Sequence, residues 1–211
     1  RVAFASTRNQ ERPIYPWNKL PTLDLYSTAV DDEGELSDIV LFSDAINTDE
    51  HESSATFCTD GTVMFFDRTN EDRVKNEEGN RIAHISMYRA EKVDDEWTNV
   101  EKLPFSSENY SVEHPSLSAD GSKLYFSSDM PGGSGSFDIY VVDVNEDGTY
   151  GEPRNLGPGV NTAHRDQFPF ISSQDTLYFS SDGRQGFGNL DIYKSGGDFS
   201  ESENLGKTIN S

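Results

Sequence analysis

Leu124-Tyr125-Phe126-Ser127-Ser128-Asp129, followed after a short loop by Phe137-Asp138-Ile139-Tyr140, decides the fold, because the chain repeats it. The second statement is Leu177-Tyr178-Phe179-Ser180-Ser181-Asp182 with Leu190-Asp191-Ile192-Tyr193. Two looser copies come earlier: Val2-Ala3-Phe4-Ala5-Ser6 with Leu23-Asp24-Leu25-Tyr26, and Val63-Met64-Phe65-Phe66-Asp67 with Ile85-Ser86-Met87-Tyr88. The closing tyrosines stand 62, 52 and 53 residues apart, and Asn47, Asn109, Asn161 and Asn210 keep the same order at 62, 52 and 49. A turn pair also recurs: Asp60-Gly61, Asp120-Gly121 and, more weakly, Gln174-Asp175. Repeats of this length mark propeller blades or solenoids.

Strand content chooses between the two. The third unit offers β-like runs at 115–118, 123–127, 137–142 and 153–156, and the fourth at 168–172, 176–180, 190–194 and 203–205. Gly, Asp, Asn and Pro separate them, and no stretch has the length and 3.6-residue period of a stable helix. Asp-Gly between two β runs predicts a hairpin joining the innermost strand to the second. The expected fold is an all-β propeller of four-stranded antiparallel blades, one domain over 1–211, with units at about 1–52, 53–111, 112–165 and 166–211. The first unit opens on its second strand, so at least four blades of a larger ring are expected. The repeated Asn is read as bonding backbone between blades, and the aromatic residues as filling the space between them.

Bulk properties fit a folded binding protein. An aromatic content of 11% argues against disorder. A net charge of −21, from 38 acidic and 17 basic side chains, repels phosphate backbones and excludes nucleic acid as a partner. Cys58, the single cysteine, allows no internal disulfide and reads as an inert buried thiol within a strand. No segment is long and apolar enough to be a membrane-spanning helix.

At two stretches the residues match a known family. His114-Pro115-Ser116-Leu117-Ser118-Ala119-Asp120-Gly121 and Asp166-Gln167-Phe168-Pro169-Phe170-Ile171-Ser172 resemble TolB-type, WD40-like propeller repeats. The Gly-rich stretches Met130-Pro131-Gly132-Gly133-Ser134-Gly135 and Arg184-Gln185-Gly186-Phe187-Gly188-Asn189, with Asn-Leu-Gly following, are similar to the propeller of OmpA-family cell-envelope proteins of Bacteroidota. That resemblance covers 112–211 more closely than 1–111. It implies a periplasmic location with outer-membrane association, envelope protein partners in a complex such as type IX secretion, and peptidoglycan binding only through a module outside this chain.

Function is expected where the copies differ. The second-to-third-strand loops of the first two units are long and basic, holding Arg8, Arg12, Tyr15, Trp17 and Lys19, then Arg73 and Arg81. Tyr, Trp and Arg are enriched at interface hot spots, so these are the expected partner-binding residues. His51, His114 and Arg165 are candidates for the channel mouth, ahead of successive innermost strands; a repeat of one per blade ending in Arg predicts no metal site. The acidic stretch Asp143–Gly148 reads as a hairpin rather than a calcium loop. No Gly-x-Ser-x-Gly elbow, P-loop or His-Glu-x-x-His occurs, so no catalytic residue and no cofactor are expected. The expectation is a non-catalytic protein-binding scaffold. The alternatives are a substrate-gating propeller of a prolyl-oligopeptidase-like hydrolase and a carbohydrate-binding propeller.

Overall fold

The repeated phrase is buried along most of its length where blades pack face to face. The computed structural model describes residues 2–16, 18–76 and 78–210. The first sheet holds β1 (Val2–Ser6), β2 (Asp24–Val30) and β3 (Leu36–Leu41). The second begins with β4 (Glu52–Phe57) and β5 (Val63–Thr69); a small hairpin of β6 (Val74–Lys75) and β7 (Arg81–Ile82) follows, then β8 (Ile85–Val93) and β9 (Glu96–Lys102). The third comprises β10 (Val112–Leu117), β11 (Lys123–Ser128), β12 (Asp138–Asp143) and β13 (Arg154–Asn155). The fourth comprises β14 (Asp166–Ile171), β15 (Leu177–Ser181), β16 (Asp191–Ser195) and β17 (Ser202–Asn204). All pairing within the four sheets is antiparallel, and the sheets are the four blades of a β-propeller. Among the described residues there is no helix, and none long and apolar enough to cross a membrane.

Each blade is held first by a cross-strand aromatic pair. Phe4 stacks on Tyr26, Phe66 on Tyr88, Phe126 on Tyr140 and Phe179 on Tyr193, with ring centroids 5.9, 5.6, 5.9 and 5.8 Å apart. Such pairs add roughly 0.5–1.5 kcal/mol beyond their buried area. In the second, third and fourth blades these rings face the preceding blade. The opposite face presents Phe65 and Met87 in the second blade, and Tyr125, Ile139 and Val141 in the third. Contacts run from first to second, second to third and third to fourth blade, and among the described residues no strand of the fourth approaches one of the first.

The Asp-Gly turns lie where expected. Gly61 (φ 71°) and Gly121 (φ 74°) take the left-handed position, and Asp175 (φ 57°) stands in for glycine in the fourth blade. Cys58 departs from expectation: it lies just past β4 and is half-buried. Its thiol donates to Asp60 and accepts from the Val63 N–H, the turn-closing role that the Ser118 hydroxyl plays with Asp120 and Lys123. The innermost strands also start earlier than read, at Val112 and Asp166. A bulge at His114 (φ 57°) and Phe168 (φ 55°), each before a proline, hides the first half of the strand from a pattern reading.

The repeated asparagine is a two-pronged clamp. Asn47 accepts from the Leu25 N–H (2.7 Å) and donates to the Leu25 carbonyl (2.9 Å). Asn161 does the same to Ile139, and Asn210 to Ile192, at 2.8 and 2.9 Å in both cases. The second blade breaks the pattern: Ser106 binds Met87, while Asn109 is exposed. Removing a buried carboxamide strands two backbone groups, at about 1–3 kcal/mol each. Asn161→Ala is therefore expected to lower stability by roughly 2–4 kcal/mol, and Asn109→Ala by less than about 0.5. Urea unfolding of the two variants, compared at equal slope, checks this.

Candidate functional site

The loops between second and third strands, and the connections entering β4, β10 and β14, meet at one end of the sheets. In the first, third and fourth blades the aspartate opening the third strand closes this loop. Asp138 accepts from the Ser134 and Gly135 N–H groups, and Asp191 from those of Phe187 (2.6 Å) and Gly188 (2.9 Å). The glycines let the backbone come this close: a Cβ on Gly133 would stand 2.6 Å from Oδ2 of Asp138, and one on Gly186 would fall on Asp191. Asn155 and Asn204 relay this anchor to the asparagine clamp, donating to Asp138 and Asp191 and accepting from Asn161 and Asn210. In the first blade side chains replace backbone, as Asp24 accepts from Asn9 (2.8 Å) and Arg12 (2.9 Å). Ser86 stands at this position in the second blade, whose loop carries the β6–β7 hairpin instead.

Arginines cap the aromatic pairs at this end. Arg8 lies over Phe4 and Tyr26 at 5.1 and 5.0 Å, Arg68 over Phe66 and Tyr88 at 5.3 and 4.8 Å, and Arg184 over Tyr193 at 5.8 Å. Arg68 and Arg184 also donate to the carbonyls of Ile46 and Val160, in the connections between blades. Arg68 further pairs with buried Glu52 at 2.8 Å. A guanidinium that stacks and donates from its edge at once suits this place, which a lysine would not fill.

Several expected partner-binding residues are thus committed to the scaffold. Arg8 caps a ring pair, Arg12 bridges Asp24 and Asp49, and Arg73 bonds Glu50 and the carbonyls of Asn70 and Glu71. Tyr15 meets the His51 ring edge-on at 4.9 Å. Lys19 and Arg81 are exposed, and Trp17 lies outside the described residues. Beside charged residues the loop offers two apolar side chains to solvent, Ile14 and Leu20, 52% and 47% exposed, next to a short backbone bridge from Ile14 to Pro21. Charge drew attention to this loop, yet its arginines mainly hold it in shape.

The channel-mouth residues do not form one ring. His51 and Arg165 share a position just before β4 and β14, whereas His114 lies inside β10, at its bulge. His51 accepts from the Leu23 N–H through Nδ1, and its burial lowers its basicity. Arg165 pairs with Asp182 at 2.7 Å. His114 is held by its backbone N–H on Asp67 (2.9 Å) and lies 3.8 Å from the Phe168 ring. Asp67, a residue the sequence reading passed over, also accepts from the Ser53 hydroxyl and the Ser54 N–H, so one carboxylate joins the bulges of two blades. Beside it Glu113 accepts from Gln167 at 2.8 Å, and burial together with the Asp67 charge pushes its carboxyl up to about 7. Among the described residues no group of three or more His, Cys, Asp or Glu comes together as metal ligands.

No protein-family model and no curated protein matches this chain. Among solved structures it is similar to TolB from Acinetobacter baumannii, with a TM-score of 0.56 and 14% identity over 96% of this chain and 40% of that one. The fold is that of a TolB-like β-propeller. A puromycin-hydrolyzing peptidase of Mycobacterium tuberculosis is also similar, with a TM-score of 0.52 and 14% identity over 98% of this chain and 31% of that one. The chain spans less than half the length of either structure, and likeness at this identity concerns the fold alone.

The buried acid of this TolB-like propeller gives a pH signature. Folded Glu113 keeps its proton up to about pH 7, while an unfolded glutamate releases it near 4.5, so folding takes up a proton between these values. Its contribution is fully present below the lower value and is lost as pH rises through the upper one, amounting to about 3 kcal/mol. Glu113→Gln is expected to leave stability at pH 4 nearly unchanged and to raise it at pH 8. Melting temperatures of both proteins across that range check this.

Proposed function

We propose that the chain is a non-catalytic protein-binding scaffold acting in a periplasmic complex at the outer membrane. The observation that carries the reading is loop 7–22. Buried Asp24 anchors it through Arg12 and Asn9, its backbone is pinned by Tyr15–Leu20 and Thr22–Pro13 hydrogen bonds, and it holds Ile14 and Leu20 out to solvent. An ordered loop presenting apolar side chains beside exposed Lys19 is built for contact rather than for solubility. The likeness to TolB supports an envelope role, and the Gly-rich motifs support the OmpA-family, type IX secretion assignment, with peptidoglycan anchoring supplied by another domain.

A second reading, the gating propeller of a hydrolase, draws on the likeness to the puromycin-hydrolyzing peptidase. An affinity column of the chain, loaded with envelope extract, separates the two. Native chain is expected to retain at least one envelope protein that Ile14→Asp/Leu20→Asp loses while keeping its melting temperature. Equal retention by both columns contradicts the scaffold reading.

A further inference from the structure

Innermost strands of neighbouring blades lie against each other at two seams, β4 on β10 and β10 on β14. One bond is common to both. Thr56 accepts from the Leu117 N–H at 3.2 Å, and Ser116 from the Ile171 N–H at 3.0 Å. A second strap is not shared. Between the second and third blades it is Asp67, on β5, whose carboxylate holds the His114 N–H across the seam and Ser53 and Ser54 within its own blade. The register puts Ser127, on β11, at the corresponding place, because Phe66 and Phe126 precede the two residues opposite Tyr88 and Tyr140. The Ser127 hydroxyl is buried and, among the described residues, has no hydrogen-bond partner. Between the third and fourth blades the strap is made by side chains instead. Glu113, on β10, accepts from the side-chain amide of Gln167, on β14, at 2.8 Å, and the two stand directly before the bulges at His114 and Phe168.

The space around the Glu113 carboxyl is closed and short of positive charge. β5 brings Asp67 toward it, Asp129 faces it from just past β11, and β14 supplies Gln167. From β4 it is Ser53 and Ser54 that reach Asp67. On β10 itself His114 has Nδ1 3.6 Å from Oε1, but burial lowers the basicity of that imidazole, so it supplies no countercharge at neutral pH. An amide offers both an N–H and a C=O. A protonated carboxyl answers both, accepting with one oxygen and donating its O–H from the other. A carboxylate answers only the N–H and sets its charge against the amide C=O and against Asp67. Charge strengthens the one bond that is left, yet burial and the Asp67 charge outweigh it and push the carboxyl up to about 7.

We infer that Glu113 and Gln167 form a proton-operated latch between the third and fourth blades, closed while Glu113 carries its proton and opened when that proton leaves to solvent and the carboxylate must hydrate. The seam between the second and third blades, strapped from Asp67 to backbone N–H groups, does not depend on that proton. Because the folded value lies above the ordinary glutamate one, the latch is at full strength in acid and is lost as pH rises through about 7. The connections into β10 and β14 arrive from the loop end, so opening frees the loops of the third and fourth blades to shift relative to each other. The latch is separate from loop 7–22, and its test is independent of the scaffold reading.

Amide exchange read residue by residue tests this, with the Ile171 N–H reporting the third-to-fourth seam and the Leu117 N–H the second-to-third. Between about pH 5.5 and 8.5, after correction for intrinsic rates, protection of Ile171 is expected to fall at least about tenfold further than that of Leu117. A loss of global stability alone would lower both alike. In Glu113→Gln, which keeps a neutral side chain of the same shape, the ratio of the two is expected to stay constant. Should that variant not fold, the carboxyl carbon shift of Glu113 in the native chain takes its place, and is expected to share one midpoint with the Ile171 protection. Equal pH dependence at both amides, a difference that persists in Glu113→Gln, or two separate midpoints overturns the latch.

Discussion

The carboxamides of Asn47, Asn161 and Asn210 each bind both the N–H and the C=O of one residue in a third strand, and so tie the chain leaving a blade to that blade's own middle. Asn47 and Asn161 are followed by a threonine that bonds the acid opening the next innermost strand, Thr48 to Glu52 and Thr162 to Asp166. The clamp therefore fixes where a blade ends and where the next begins. Aromatic pairs, arginine caps and loop-closing aspartates all lie in positions that this pitch determines. Because these polar groups are buried, each is worth more as a constraint on geometry than as net energy, and loss of one partner costs more than the pair contributes.

The loop end follows from that frame. In the third and fourth blades Asp138 and Asp191 fold short glycine loops tightly back, whereas in the first blade Asp24 holds a long loop through side chains. The same anchor thus gives a closed end or a presented one, depending on what the loop contains. Ile14 and Leu20 are exposed because Arg12 and Asn9 hold the loop from below.

Much of this was legible in the sequence. The aromatic phrase, the tyrosine intervals and the Asp-Gly turns carry the blade count and strand order, since period-2 burial and turn chemistry are local. Asn109 was misleading: it keeps the spacing of the clamp, but Ser106 bonds Met87 in its place, and spacing alone does not report which side chain reaches a backbone group. Asp67 was invisible for the opposite reason, as its partners His114 and Ser53 come from two different blades. Basic residues in long loops do not show in sequence what they touch. Arg8, Arg12 and Arg73 look available in sequence and are engaged in space, because a stacked or paired guanidinium is set by tertiary neighbours.

Native-state amide hydrogen exchange of Ile139 and Ile192 tests the clamp most directly. If their N–H groups are held by Asn161 and Asn210, both exchange only with global unfolding, with protection equal to the unfolding free energy. Exchange of either amide through local opening, several kcal/mol below that limit, would contradict the claim that the clamp sets the pitch of the blades.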